Sequence, residues 1–481
     1  MFESWSAHFN EIKEAVERFE KMEYSGQEYF FDVHSIENIF DFYVDKLQFN
    51  KAERIINLGI RQHPGASALK IKEAILYIEK GQLSKAIILL ENLLQIEKTN
   101  PEVYLNLGYA YLRDGQNEKA LQIFEHGLEF AFSDEEEVLL DIVLYLNQFY
   151  EYESTIKILS ERYSEIRDDE NLLFELAYAL DKVDENQKAF NIYEKLLNIN
   201  PYSENAWYNA GISLVKLERP KEANEAFDFC LAISPDHAQA HFNKANNLVQ
   251  QNRYLEALES YFECISYDIR QSKCLHYIAD CWNHLGNSSR ALQFFKMAVN
   301  TDFMDFDAWE GYARFHLEQQ EPQACRQVIN QALAERELMT DEELGTFYHL
   351  MGQSYVLDEE WERSKKFFKN AALSNRKDFR HLAALYKLNL ALNPEYNIEI
   401  FVDQYTPDFI ETGSFQYMLA AYHLLITENF ENGIYHLEEA SVYAPGFMEE
   451  FTDVFPEIIT IAKNNKKLTS LIELNNGNYE L

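Results

Sequence analysis

Hydrophobic and polar positions along this chain follow the period of an α-helix, and the pattern itself recurs. In residues 204–237, Trp207, Ala210, Gly211 and Leu214 fall on one face of a first helix. Ala223, Phe227 and Cys230 fall on one face of a second, which Pro235 ends because proline cannot continue a helical ladder. Moving 34 residues on gives the same layout with His241, Ala245, Leu248, Ala257, Tyr261 and Cys264. Another 34 gives Leu275, Ala279, Trp282, Ala291, Phe295 and Ala298. A fixed period of this size predicts a solenoid, in which each helix pair buries its apolar face against the next.

Extending the register places unit starts at 33, 67, 101, 136, 170, 204, 238, 272, 306, 345, 379 and 414. The longest step, 39 residues, holds an insertion around 335–344. Residues 1–32 carry one amphipathic helix, roughly 8–22, with Phe9, Ile12, Val16 and Phe19 on a stripe, and are expected to cap the array. Residues 33–447 form about twelve helix pairs, and 448–481 a closing cap with Phe451, Val454, Ile458 and Ile461 on a stripe. A polar end, Asn475-Asn476-Gly477-Asn478, is expected to fray.

Three positions carry the packing. The eighth is Gly or Ala in most units, including Ala74, Gly108, Ala177, Gly211 and Gly352, and the twentieth, expected to face it, is also small. The twenty-fourth is apolar throughout, as in Phe124, Tyr193, Phe227, Tyr261 and Phe295. Larger side chains at the small positions would force the helices apart. Units 136–169, with Val143, Thr155 and Arg162, and 379–413, with Tyr386, Ile398 and Tyr405, depart from the pattern, so their pairs are expected to be splayed or irregular.

The chain therefore resembles the tetratricopeptide repeat family over nearly its whole length, most closely in 104–128, YLNLGYAYLRDGQNEKALQIFEHGL. The resemblance implies an all-α, right-handed superhelical solenoid of antiparallel helix pairs. It also implies a concave groove lined by first-helix positions 2, 5, 9, 12 and 13. Positions 5 and 9 read Ile71, Ile75, Leu105, Tyr109, Leu140, Leu144, Phe174, Tyr178, Tyr208, Ile212 and Phe242 in the first two-thirds of the chain. They then turn polar, with Asn246, His276, Asp280, Glu310, Arg314, His349 and Gln353, and Asn205, Gln239, Lys273 and Asn283 add polar groups near the middle. An apolar strip in a groove reads as a surface for an amphipathic helix or extended peptide, and equally as a strip covered by tight winding or by the chain's own termini. The carboxylate clamp of one family subclass would need Lys and Arg where Tyr208 and Phe242 stand, which argues against it.

Composition narrows the partner. Of 481 residues, 80 are acidic and 43 basic, a net charge of -37 that repels nucleic acid and anionic membranes and favours basic partners or simple solubility. Acidic runs such as Asp134–Glu137, Asp168–Glu170 and Asp341–Glu343 stand where helices should begin and suit the positive end of the helix dipole. Five cysteines, Cys230, Cys264, Cys274, Cys281 and Cys325, form no disulfide framework. With no signal-peptide pattern and no apolar run of spanning length, they point to a cytoplasmic protein. Cys274, His276, Cys281 and His284 could suggest a metal, but their spacing on one helix lacks the paired ligands of a zinc site. No nucleotide, metalloprotease or nucleophile-elbow motif occurs, and no cofactor is implied. The expectation is a non-catalytic scaffold or adaptor for a protein or peptide, the alternative being a self-assembling structural module.

Overall fold

The computed structural model describes residues 2–131, 135–166, 168–267 and 271–475. Every regular element among them is a helix. Asp134 and Asn476–Asn478 lie outside the described residues, as does the side chain of Phe9. The chain divides into two compact units, Met1–Pro235 and Asp236–Leu481.

Unit 1 opens with α1 (Phe2–Ser25), longer than its sequence stripe suggests, which packs Val16 and Phe19 against the first pair. Helix pairs follow: α2 (Val33–Asp45) with α3 (Phe49–Gln62), α4 (Ser67–Glu79) with α5 (Leu83–Ile96), and α6 (Pro101–Arg113) with α7 (Asn117–Leu128). Next come α8 (Glu135–Gln148) with α9 (Tyr152–Glu161) and the short α10 (Tyr163–Ile166), α11 (Glu170–Lys182) with α12 (Asn186–Ile199), and α13 (Glu204–Lys216) with α14 (Pro220–Ile233). The break between α9 and α10 falls at Arg162.

Unit 2 contains α15 (Ala238–Gln250) with α16 (Tyr254–Tyr267), α17 (Gln271–His284) with α18 (Ser288–Thr301), and α19 (Phe306–Glu318) with α20 (Pro322–Ala332). The insertion forms a 3₁₀ segment, Leu333–Leu338. Then come α21 (Asp341–Leu357) with α22 (Trp361–Ser374), α23 (Phe379–Leu392) with α24 (Ile398–Phe409), α25 (Gly413–Leu425) with α26 (Phe430–Tyr443), and the closing helices α27 (Met448–Val454), α28 (Glu457–Ala462) and α29 (Lys466–Asn475). Helix α21 begins four residues before the start that the period gives. A capping box is the reason: the Thr340 side chain takes the Glu343 amide and the Glu343 carboxylate takes the Thr340 amide. Acidic first turns recur at Glu135–Glu137, Glu170 and Asp341–Glu343.

The packing positions behave alike in both units. Phe124, Tyr193, Phe227, Tyr261 and Phe295 at the twenty-fourth position are fully buried. The eighth position also faces these rings, which the sequence expectation did not include. A Cβ added at Gly108 would sit 2.2 Å from the Phe124 ring, and one at Gly211 would sit 2.6 Å from Phe227. The twentieth is small because it also lies deep in the pair; where it is Ser364, its hydroxyl donates to the Gly352 carbonyl at 2.9 Å.

Between the two helices of a pair, a residue in the left-handed region turns the chain. Leu47, Gly81, Gly115, Tyr150, Asp184, Glu218, Asn252, Gly286, Gln320, Glu359 and Glu428 all have φ between 52° and 75°. The pair α23–α24 has no such residue: Asn393 at the equivalent place is extended, with φ -137°. There α23 turns towards the closing helices instead. Phe379 meets Phe451 edge-on, Tyr386 lies 5.2 Å from Phe455, and Lys387 pairs with Glu450. The departure that the sequence marks at 379–413 is thus a pair whose first helix also packs on the closing helices.

Candidate functional site: two pockets on the first helices

The fourteen residues expected to line a groove, Leu105, Tyr109, Leu140, Leu144, Phe174, Tyr178, Tyr208, Ile212, Phe242, Asn246, His276, Asp280, Glu310 and Arg314, all keep some exposure. Leu144 is 43% exposed. Ile71, read as a groove residue, is fully buried. It belongs to the apolar core of unit 1, with Ala74, Ile78, Val103 and Leu107.

Three of the apolar residues come together in unit 1. Leu140 and Leu144 of α8, Phe174 of α11 and Leu196 of α12 wall a cavity of about 340 Å³. Glu170, Asn171, Glu175, Ser203 and Asn205 complete its lining. Glu175 accepts a hydrogen bond from Asn147 Nδ2 at 2.7 Å, yet burial still pushes its carboxyl above the ordinary value. Glu170 accepts from Asn200 Nδ2 at 2.9 Å. Beside this cavity, the buried Asn147 Oδ1 finds no hydrogen-bond partner among the described residues. The result is a mixed hole, with four apolar side chains on one part of its wall and carboxylates and amides on the rest.

Four of the polar residues come together in unit 2. His276 and Asp280 of α17, with Glu310 and Arg314 of α19, line a cavity of about 360 Å³. Tyr277, Asn283, Asp307, Gly311, Phe315 and Glu318 complete it. The two positive groups are already engaged. His276 Nε2 lies 3.1 Å from Asp280 Oδ2, and Arg314 Nε donates to Glu310 Oε1 at 2.6 Å. Glu318 accepts from Asn283 Nδ2 at 2.6 Å. Burial opposes a charge on His276, but the Asp280 hydrogen bond and the fields of Asp280, Asp305 and Asp307 outweigh it and hold its pKa above the ordinary value. The carboxylates around His276 thus favour its protonated form more than burial disfavours it.

The other seven expected residues stand outside these pockets. Leu105 packs on the unit 1 core, and Tyr109 stacks 4.4 Å from Tyr145 with Phe149 edge-on. Tyr178 lies under the Lys182 ammonium, and Tyr208 tilts against Phe227. Phe242 meets Tyr261 and Tyr277 edge-on, and Asn246 is drawn inward as acceptor of the Tyr261 hydroxyl at 2.5 Å. Ile212 is half-buried. Sequence reasoning left out position 6, which supplies Glu175, Tyr277 and Gly311 to the pockets. A signal was present: 311 is the one glycine at position 6 of the repeat. It matters because a Cβ there would lie 2.4 Å from His276 Nε2.

The residues of the considered metal site diverge. His276 goes to Asp280, His284 stacks on Tyr254, Cys274 faces Cys264 and Cys281 is buried in the core. Among the described residues no group of three potential ligands could hold a metal ion. Among them, too, no helix is long and apolar enough to cross a membrane.

Stacked helix pairs with pockets on their first helices define a helical-repeat scaffold for protein interactions. Two segments, residues 77–139 and 208–263, match models of the tetratricopeptide repeat. These two segments of the chain are therefore tetratricopeptide repeats. No curated protein matches its sequence. Solved structures resemble parts of it. A tetratricopeptide repeat protein from Parabacteroides merdae is 18% identical, with 60% of this chain and 98% of that one covered, at a TM-score of 0.38. Pseudomonas aeruginosa pilF is 16% identical over 44% of this chain and 95% of its own, at 0.36. YrrB, described as having an unusual peptide-binding site, is 19% identical over 37% and 92%, at 0.32. At these scores the functions of those proteins carry no weight for this one.

Proposed function

We propose that the chain is a non-catalytic scaffold whose two units each capture a peptide segment of a partner protein, amphipathic or basic, through the exposed faces of their first helices. The unit 1 pocket takes an apolar side chain between Leu140, Leu144 and Phe174. The unit 2 pocket takes a lysine or arginine beside Asp280, Asp307, Glu310 and Glu318. The observation that carries this reading is the pairing of exposure with convergence. Seven of the fourteen residues at positions 5 and 9 meet around two cavities on first helices, while positions 8 and 24 are sealed in the core. The net charge of -37 agrees with a cationic partner.

The test is titration calorimetry with synthetic peptides that carry leucine or phenylalanine and lysine or arginine in varied spacing. A set of peptides should bind the wild type and lose affinity with Phe174→Ala, or with Asp307→Asn combined with Glu318→Gln. Binding unaffected by both changes would remove the reading. Sedimentation at several concentrations tests self-assembly: reversible association that peptide does not dissociate would favour the structural module instead.

A further inference from the structure

The five cysteines play no part in the proposed function, and two of them are not alike the rest. Cys264 is the fourth residue from the end of α16 and Cys274 the fourth residue of α17. Because the two helices are consecutive and pack together, this symmetry about the junction brings both side chains to one level. Their sulfurs lie 3.1 Å apart, closer than two sulfurs in ordinary van der Waals contact, in a small apolar cluster with Ala238, Phe242 and Ile265. Both residues are reduced and buried. A disulfide needs sulfurs at about 2.05 Å, so closing the pair takes a shift of about 1 Å. Cys230, Cys281 and Cys325 are buried as well, and burial pushes each of these thiols up to about 12.

We propose that Cys264 and Cys274 are a redox-active dithiol that closes to an intramolecular disulfide when the protein meets a peroxide. One thiolate attacks a peroxide oxygen, the O–O bond breaks, and a sulfenic acid and water result. The second thiolate attacks the sulfenic sulfur and displaces its hydroxyl, which leaves as water once protonated. Two thiols and one peroxide thereby give one disulfide and two waters, and a dithiol reductant reverses the step by exchange. The bond would pin the first turn of α17, two residues before His276 and six before Asp280, and so hold the unit 2 pocket in one arrangement. This consequence for binding rests on the peptide-binding reading; the disulfide itself does not.

The experiment treats the full chain with hydrogen peroxide, blocks remaining thiols with an alkylating agent and maps the peptides by mass spectrometry. The expected product is a Cys264–Cys274 crosslink that dithiothreitol removes and that Cys264→Ser or Cys274→Ser each abolishes. The oxidised wild type should melt a few degrees higher than the reduced form, with no such rise in either variant. Unmodified thiols, sulfinic or sulfonic acid without a crosslink, or a crosslink to Cys281 or Cys230 would overturn the proposal. Peptide affinity for the unit 2 pocket should rise about threefold on oxidation, because a pinned helix loses less freedom on binding. A crosslink without any peptide binding would sink the binding reading and leave the dithiol standing.

Discussion

The pockets of units 1 and 2 are built on the same frame and ask for opposite chemistry. Both sit on first helices, and both draw on positions 5 and 9 of consecutive repeats. In unit 1 those positions are Leu140, Leu144 and Phe174, so removing apolar surface from water is the available driving force. In unit 2 they are His276, Asp280, Glu310 and Arg314, and the two positive groups are spent on neighbouring carboxylates. The backbone period fixes where a pocket can form. The residues that the period leaves unconstrained fix what it accepts.

The largest effect that can test this comparison is on the shared frame. Phe124→Ala in unit 1 and Phe295→Ala in unit 2 should each cost about 3–5 kcal/mol, since both rings are fully buried against small residues. In a solenoid each repeat leans on its neighbours, so hydrogen exchange read by mass spectrometry should show protection lost mainly in the unit that carries the change. Uniform loss along the chain would mean that the two units share one cooperative transition.

Next comes acid, which should act on unit 2. Burial, and then its neighbour His381, hold His349 down to about 3; burial holds His381 down to about 4. Their Nδ1 atoms lie 3.0 Å apart. An unfolded chain binds these protons near pH 6.5, so the folded state loses stability as pH falls below that value, by about 1.4 kcal/mol per pH unit for each histidine. His276 runs the other way: its raised pKa gives stability that is present below pH 6.5 and lost as pH rises through its folded value. Urea midpoints from pH 4.5 to 8 should therefore fall on the acid side, and His349→Gln should flatten that fall. An acid limb unchanged in His349→Gln would contradict the assignment.

The pockets themselves separate by salt. Phe174→Ala should weaken a peptide with an apolar anchor by about 2 kcal/mol, with little dependence on ionic strength. Asp307→Asn with Glu318→Gln should weaken a lysine-bearing peptide by about 1.4 kcal/mol, a tenfold loss that shrinks as salt screens the charges. If both losses respond to salt alike, the contrast between the pockets is wrong. The smallest change is at the turns. Leu47 and Tyr150 hold φ of 56° and 62°, so glycine at either place should stabilise by about 0.5 kcal/mol, relief of strain being partly offset by a looser unfolded chain. Thermal melting reads this directly.

Much of this was legible in the chain. Trp207, Gly211, Ala223 and Phe227 announced a helix pair because close packing leaves few side-chain sizes that fit, and their recurrence every 34 residues gave the solenoid. The polar turn of the groove at Asn246 was also visible. Ile71 and Ile75 illustrate the limit: both were read as groove positions, yet the first is fully buried and the second is only half-buried. Asn246 looked like a free hydrogen-bonding group and is taken by Tyr261.

What the sequence determined by itself is therefore the repeating frame: which residues face inward within a pair, where helices start, and that the exterior is acidic. These are local properties, set by helical period, side-chain volume and charge. The tertiary structure decided which exposed positions converge. Gly311 opens a pocket only because His276, 35 residues earlier, lies across from it on the neighbouring first helix. Cys264 and Cys274 became a pair only when α16 and α17 packed. Convergence depends on distances between helices, and neither a period nor a composition contains those.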